Sequence, residues 1–160
     1  MRHVTAALVF VFLIVLPAAA LDLGHAEGTL TIDGHKITLN YAYAVAKQKN
    51  QLTDRNEMTR IILTDKPLPD GAKLTDLDSS LPGDLNGVIV CVDKQGRVGH
   101  VAVQHPAGSY DGGYFEGVPD YEYKPRKGDS GTLGGFVSSL RVKTNTMTFS
   151  YDVNFLATLK

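Results

Sequence analysis

Beyond its first twenty residues the chain alternates apolar and polar positions along much of its length. Leu30 and Ile32 alternate with Thr29 and Thr31, and Ile37, Leu39 and Tyr41 resume the same period of two. A period of two sends successive side chains to opposite faces of a strand. Asp33-Gly34 between the two runs supplies the positive-φ pair of a type I′ turn, so residues 28–39 read as a hairpin. Large and small residues keep alternating through residues 41–47 (YAYAVAK), which extends the second strand. Residues 60–64 (RIILT) predict a short buried strand, and residues 87–93 (GVIVCVD) a central strand dry on both faces. Residues 97–105 return as its hairpin partner. Residues 133–142 predict a further strand. In residues 147–159, Phe149, Tyr151, Val153 and Phe155 oppose Thr148, Ser150, Asp152 and Asn154, the pattern of a half-buried strand.

The intervals carry other signals. Residues 65–86 hold Pro67, Pro69 and Pro82 and lack strand character. Leu74, Leu77 and Leu81 within them have helical spacing, which predicts a short helix capped by Thr75. Residues 106–119 are rich in Gly and read as a long loop. Tyr121 to Tyr123 then predict an edge strand ended by Pro125. The sum is an all-β fold of about seven or eight strands and one short helix, mainly antiparallel, as a sandwich or an open barrel.

The first twenty residues read as an address. Arg2 opens a positive segment, residues 6–16 form an unbroken apolar run, Pro17 breaks it, and Ala18-Ala19-Ala20 supplies small residues for cleavage. This is the order of a secretory signal. Eleven helical residues span about 16 Å, short of the ~30 Å hydrocarbon core of a bilayer. We therefore expect residues 1–20 to be a signal peptide, residues 21–160 a single exported β-domain, and the location periplasmic or extracellular, with no stable membrane insertion after cleavage.

Composition narrows the function. The full chain has 160 residues, 16 Lys+Arg and 17 Asp+Glu, a formal charge of -1 that offers no footprint for nucleic acid. One Cys precludes an intrachain disulfide and a Cys-based zinc cluster. The segment Gly28-Thr29-Leu30-Thr31-Ile32-Asp33-Gly34, leading into Leu39-Asn40-Tyr41-Ala42-Tyr43-Ala44, and the closing Phe149-Ser150-Tyr151-Asp152-Val153-Asn154-Phe155 resemble small exported bacterial proteins of uncharacterised function. The resemblance implies export and an all-β domain, and no site residue comes with it.

Several strings carry candidate chemistry. Gly128-Asp129-Ser130-Gly131 resembles the nucleophile segment of chymotrypsin-like proteases, but Thr132 stands where that family has a second Gly, and the chain is too short for two barrels. It reads better as a polar turn. His100 and His105 are five residues apart on one strand and so face opposite ways, which argues against their chelating one ion, with or without His35. Asp65, Asp70, Asp76, Asp78 and Asp84 crowd one stretch without the spacing of a calcium loop, and read as solvated charge. Cys91, amid Val and Ile, reads as an inert thiol. No catalytic residue, metal site or cofactor is expected.

The strongest lead is residues 110–123 (YDGGYFEGVPDYEY), where Tyr110, Tyr114, Phe115, Tyr121 and Tyr123 interleave with Asp111 and Glu116. Flat rings and carboxylates suit a sugar or peptide contact surface, and at least two of the rings are expected on an exposed surface. The reading is an exported, non-catalytic domain binding a protein or carbohydrate through these residues. One alternative is a small exported hydrolase pairing His100 or His105 with a loop carboxylate, and a further one is an outer-membrane barrel. The unalternating strand at residues 87–93 counts against the barrel.

Overall fold

A computed structural model describes residues 21–49, 57–77, 79–114 and 120–160, so the expected signal peptide lies outside the described residues. The domain is nearly all β: β1 His25–Ile32, β2 His35–Lys49, β3 Glu57–Thr64, β4 Gly87–Val92, β5 Val98–His105, β6 Gly108–Tyr114, β7 Tyr121–Arg126, β8 Thr132–Ser139, β9 Val142–Lys143 and β10 Thr148–Thr158. All named strands belong to one antiparallel sheet in the order β6-β5-β4-β3-β2-β1-β10-β8-β7, with β9 paired to β10.

The sheet curls into a half-barrel, so its two edge strands approach each other across the concave side. Tyr110 of β6 packs its ring 5.0 Å from that of Phe149, and Tyr121 of β7 stacks on Phe149 and Tyr151 at 6.5 and 6.4 Å. The concave core takes alternate residues from each strand: Leu30 and Ile32 from β1, Ile61 and Leu63 from β3, Val88 and Val90 from β4, and Phe149, Tyr151, Val153 and Phe155 from β10. The exposed counterparts Asp152 and Asn154 keep the other face of β10 wet. Asp33 and Gly34 have φ of 47° and 85°, the left-handed pair that the hairpin turn requires.

Two departures from the sequence reading have physical causes. Residues 108–114 form a strand, not a loop, because Pro106 and Ala107 make a tight turn and return the chain along β5. β7 runs through Pro125 to Arg126. An edge strand tolerates a residue without an N–H, because one side of its backbone needs no ladder bond. The added β6 and the short β9 bring the strands among the described residues to ten.

Residues 65–86 cross the convex face of β3, β4 and β5. Among their described residues the only helical element is a single 3-10 turn, Leu74–Asp76, preceded by Lys73 and without a side-chain cap, so Thr75 lies inside the turn and does not cap it. Leu77, Leu81 and Leu85 nonetheless bury against Met58, Ile62, Ile89, Cys91 and Ala102 as a second apolar cluster. Convex-face side chains tie the cover down. The Tyr43 hydroxyl accepts the Leu68 N–H at 3.0 Å, and Arg60 donates to the Leu74 and Thr75 carbonyls at 3.2 and 3.4 Å. Gln104 accepts the Leu81 N–H at 3.0 Å and donates to the Leu85 carbonyl at 2.8 Å.

Candidate functional site

The aromatic segment is divided by the pleat. Tyr110 and Asp111 are neighbours on β6 and so point to opposite faces. Tyr110 packs against the concave core with Tyr121 and Tyr123, and the ring of Tyr123 stacks 6.3 Å from Phe155. Burial raises the phenol pKa of Tyr121, which also shares a hydrogen bond with Tyr110, and burial raises that of Tyr123. These three rings are half-buried, and they line the interior more than a contact surface. Phe115 and Glu116 lie outside the described residues, as does the side chain of Tyr114. Asp111 is exposed on the convex side.

There Asp111 meets a different set of groups. Its Oδ1 lies 2.8 Å from His100 Nε2, and His100 Nδ1 lies 3.6 Å from Cys91 Sγ. Cys91 opposes His100 in the β4–β5 register and opposes Arg60 in the β3–β4 register. Arg60, Cys91 and His100 therefore form one row across three strands, each buried, with relative exposures of 4%, 2% and 2%. The carboxylate of Asp111 closes the row at the exposed end.

Two β-bulges aim this row. The β4–β5 pairing slips by one residue between Val92↔Val98 and Cys91↔His100. Val98 and Val101 thereby share the concave core, and His100 turns to the convex face. The β5–β6 pairing slips again between His100↔Tyr114 and Ala102↔Asp111. Gly112 sits in that second bulge, where a Cβ would lie 2.9 Å from the Tyr110 hydroxyl and 3.1 Å from the Val101 carbonyl. The sequence reading placed Cys91 by its apolar neighbours and missed this row. The available signal was hairpin pairing across the turn after Val92, but the bulge decides which residue faces Cys91.

The remaining candidates lie apart. His105 points away from His100 by alternation, accepts the Ala107 N–H at Nδ1, and leaves Nε2 buried without a hydrogen-bond partner. Burial and nearby His35 lower its pKa. Ser130 lies in the exposed turn between β7 and β8, where the Asp129 carbonyl accepts from the Thr132 N–H and hydroxyl. Asp65 accepts from the Asn86 backbone and side-chain N–H groups, and Asp84 pairs with Lys66, so both serve the cover segment. Asp78 lies outside the described residues. Among the described residues no group of three or more His, Cys, Asp or Glu is placed to hold a metal ion. No described helix is long and apolar enough to cross a membrane.

An open cleft of about 500 Å³ lies beside β7, β8 and the end of β10, lined by Leu21, Leu23, Phe155 and Leu156 together with Arg126, Lys127, Gly128 and Asp129. Leu23 is 53% exposed. Arg126 and Lys127 are exposed, and neither is in an ion pair with a described residue. The cleft thus brings apolar side chains together with two exposed cations and one carboxylate, Asp129. Comparison with family models, with curated proteins and with solved structures gives no match, so no relative assigns a role to any of these residues.

Proposed function

We propose that the chain is an exported, non-catalytic β-domain whose partner is a protein segment combining apolar and acidic residues. The observation that carries this reading is the cleft, which Leu21, Leu23 and Leu156 line together with Arg126 and Lys127. An apolar side chain entering it removes surface from water at about 25 cal/mol per Å². A carboxylate on the same segment meets the two cations, which add rate and specificity. Protein is favoured over carbohydrate because every described aromatic side chain is at least partly buried, leaving few flat faces for a sugar to stack on. The binding surface is thereby moved from Tyr110, Tyr121 and Tyr123 toward the far end of β7.

Cleavage after Ala20 would place the new α-ammonium of Leu21 at the cleft and add a third cation. A hydrolase reading draws on the His100–Asp111 hydrogen bond, but the imidazole is 2% exposed and leaves little room for a substrate beside it. The test is selection of a random peptide library on the mature domain. Enrichment of apolar–acidic peptides, lost in the Arg126→Glu/Lys127→Glu double variant, supports the reading. No enrichment, or enrichment that survives the double variant, overturns it.

A further inference from the structure

The polar row on the convex face has no part in that binding reading. Its geometry is that of an activated thiol. The nucleophilic form of cysteine is the thiolate, and a cation or a hydrogen-bonded imidazole beside the sulfur favours it. Cys91 has both kinds of neighbour. His100 presents Nδ1 at 3.6 Å, and buried Arg60 stands opposite on β3. Directly opposed residues in antiparallel strands have Cβ atoms about 4.5–5.5 Å apart, within reach of a guanidinium. Asp111, at 2.8 Å from Nε2, orients the imidazole so that Nδ1 faces the sulfur. This is the nucleophile–base–orienter order that activates thiols.

The charged groups around Cys91 come from every described element that packs there: Arg60 from β3, His100 from β5 and Asp111 from β6. The cover segment adds the Leu74 and Thr75 carbonyls, which hold Arg60, and the exposed Asp76. Cys91 is 2% exposed, which closes it to a peptide or a sugar and limits any reactant to one of a few atoms.

We propose that Cys91, His100 and Asp111 form an oxidant-sensing thiol site that takes hydrogen peroxide. Transfer of the thiol proton to His100 Nδ1 gives a thiolate–imidazolium pair. The thiolate sulfur attacks one peroxide oxygen, an S–O bond forms, and the O–O bond breaks. The leaving hydroxide takes the proton from His100 and departs as water. Sulfur loses two electrons, peroxide gains them, and Cys91 ends as a sulfenic acid beside neutral His100. Cys91 is the chain's one cysteine, so no second thiol in the same chain can condense with the product. Cys91 is the reacting group, and His100 gives and takes its proton. Asp111 is a positioning residue. The bulge at residues 98–100 has a role in this assignment, since without it His100 would face the core, and the bulge at 111–114 sets which residues of β6 lie beside it.

The experiment exposes folded mature protein to hydrogen peroxide for graded times, quenches, unfolds, labels sulfenic acid with dimedone and weighs the protein. We expect Cys91 to oxidise at least tenfold faster in the folded protein than in the same chain held unfolded in urea at the same pH. His100→Gln should remove that advantage. Asp111→Asn should slow oxidation severalfold and move the pH profile toward the ordinary thiol range near 8.5. Burial without activation gives the opposite order, with the folded protein oxidising more slowly than the unfolded chain. That result, or a rate and pH profile unchanged in Asp111→Asn, overturns the proposal. Asp111 has a half-exposed side chain, so its variant is the one to rely on should His100→Gln fail to fold.

Discussion

Over β1, β10 and β8 only the concave face of the sheet is dry, whereas over β3, β4 and β5 both faces are buried. The first region shows strict alternation: Phe149, Tyr151, Val153 and Phe155 are buried, and Asp152 and Asn154 face water. The second shows continuous burial, and all six residues of β4 are inaccessible. The difference lies in residues 65–86, which cover one region and not the other. Burial on the concave face is mostly apolar, with phenol hydroxyls, His105 and Ser139 as its polar members. The convex face buries Arg60 and His100 and half-buries Gln104; Arg60 and Gln104 bond the carbonyls and N–H groups that a strapped-on segment with few ladder bonds of its own leaves in need of side-chain partners. The Cys91–His100 pair therefore lies under the cover, whereas the concave side holds His105 apart from any such partner.

Truncating one side chain in each region tests this comparison most strongly. Phe155→Ala empties part of a closed core whose neighbours come from several strands, and it should cost about 3–5 kcal/mol by urea denaturation. Leu77→Ala removes a contact made by a segment that can settle toward the sheet. Its cost should fall near the lower end of the leucine range, about 2 kcal/mol. Equal losses would mean that the cover is as rigid as the sheet.

The turn that joins the doubly buried strands gives a smaller effect with a pH signature. Asp93 Oδ1 accepts the Gln95 and Arg97 N–H groups at 2.9 Å, and Oδ2 accepts from the Arg97 guanidinium at 2.7 Å. Burial alone would raise its carboxyl pKa. The Arg97 N–H, the guanidinium and the Gln95 N–H outweigh that and hold it below the usual range. A carboxyl lowered in the folded state stabilises above its unfolded pKa of about 3.9 and loses that contribution as pH falls through the lower folded value. Asp93→Ala should cost about 1.5 kcal/mol at pH 7, the lower end for hydrogen bonds to a charged group. The difference from the parent should shrink to near zero in acid, followed by denaturant melts across pH 7 to 2. The same variant should loosen the β4–β5 register that sets His100 against Cys91.

Alternation and the turn pair Asp33-Gly34 made β1, β2 and β10 legible in the sequence, because their wet faces leave a period of two. β4 was legible by its unbroken apolar run. β6 was not, since Gly112, Gly113 and Asp111 interrupt any alternation, and its strand state comes from pairing with β5. The candidate thiol site was illegible for a related reason. Cys91 and His100 are separated by a turn and a bulge, and a one-residue slip decides whether they meet. The rings of Tyr110, Tyr121 and Tyr123 were visible as a cluster, but which face they took depended on how far the sheet curls.

The smallest expected effect sharpens the comparison from the concave side. Tyr151 is almost wholly buried, its hydroxyl has no hydrogen-bond partner, and burial raises its phenol pKa well above the ordinary value. Tyr121 stacks on the same ring, yet its hydroxyl bonds to Tyr110. A buried hydroxyl without a partner costs about 1–3 kcal/mol in lost hydration. Tyr151→Phe removes the oxygen and keeps the ring, so it should raise stability by about 1 kcal/mol, the gap left by the missing oxygen offsetting the rest. The matching change at Tyr121 breaks the Tyr110 bond and should not stabilise. If Tyr151→Phe instead destabilises the fold, that hydroxyl has a partner such as a buried water, and the concave core is wetter than its apolar lining implies.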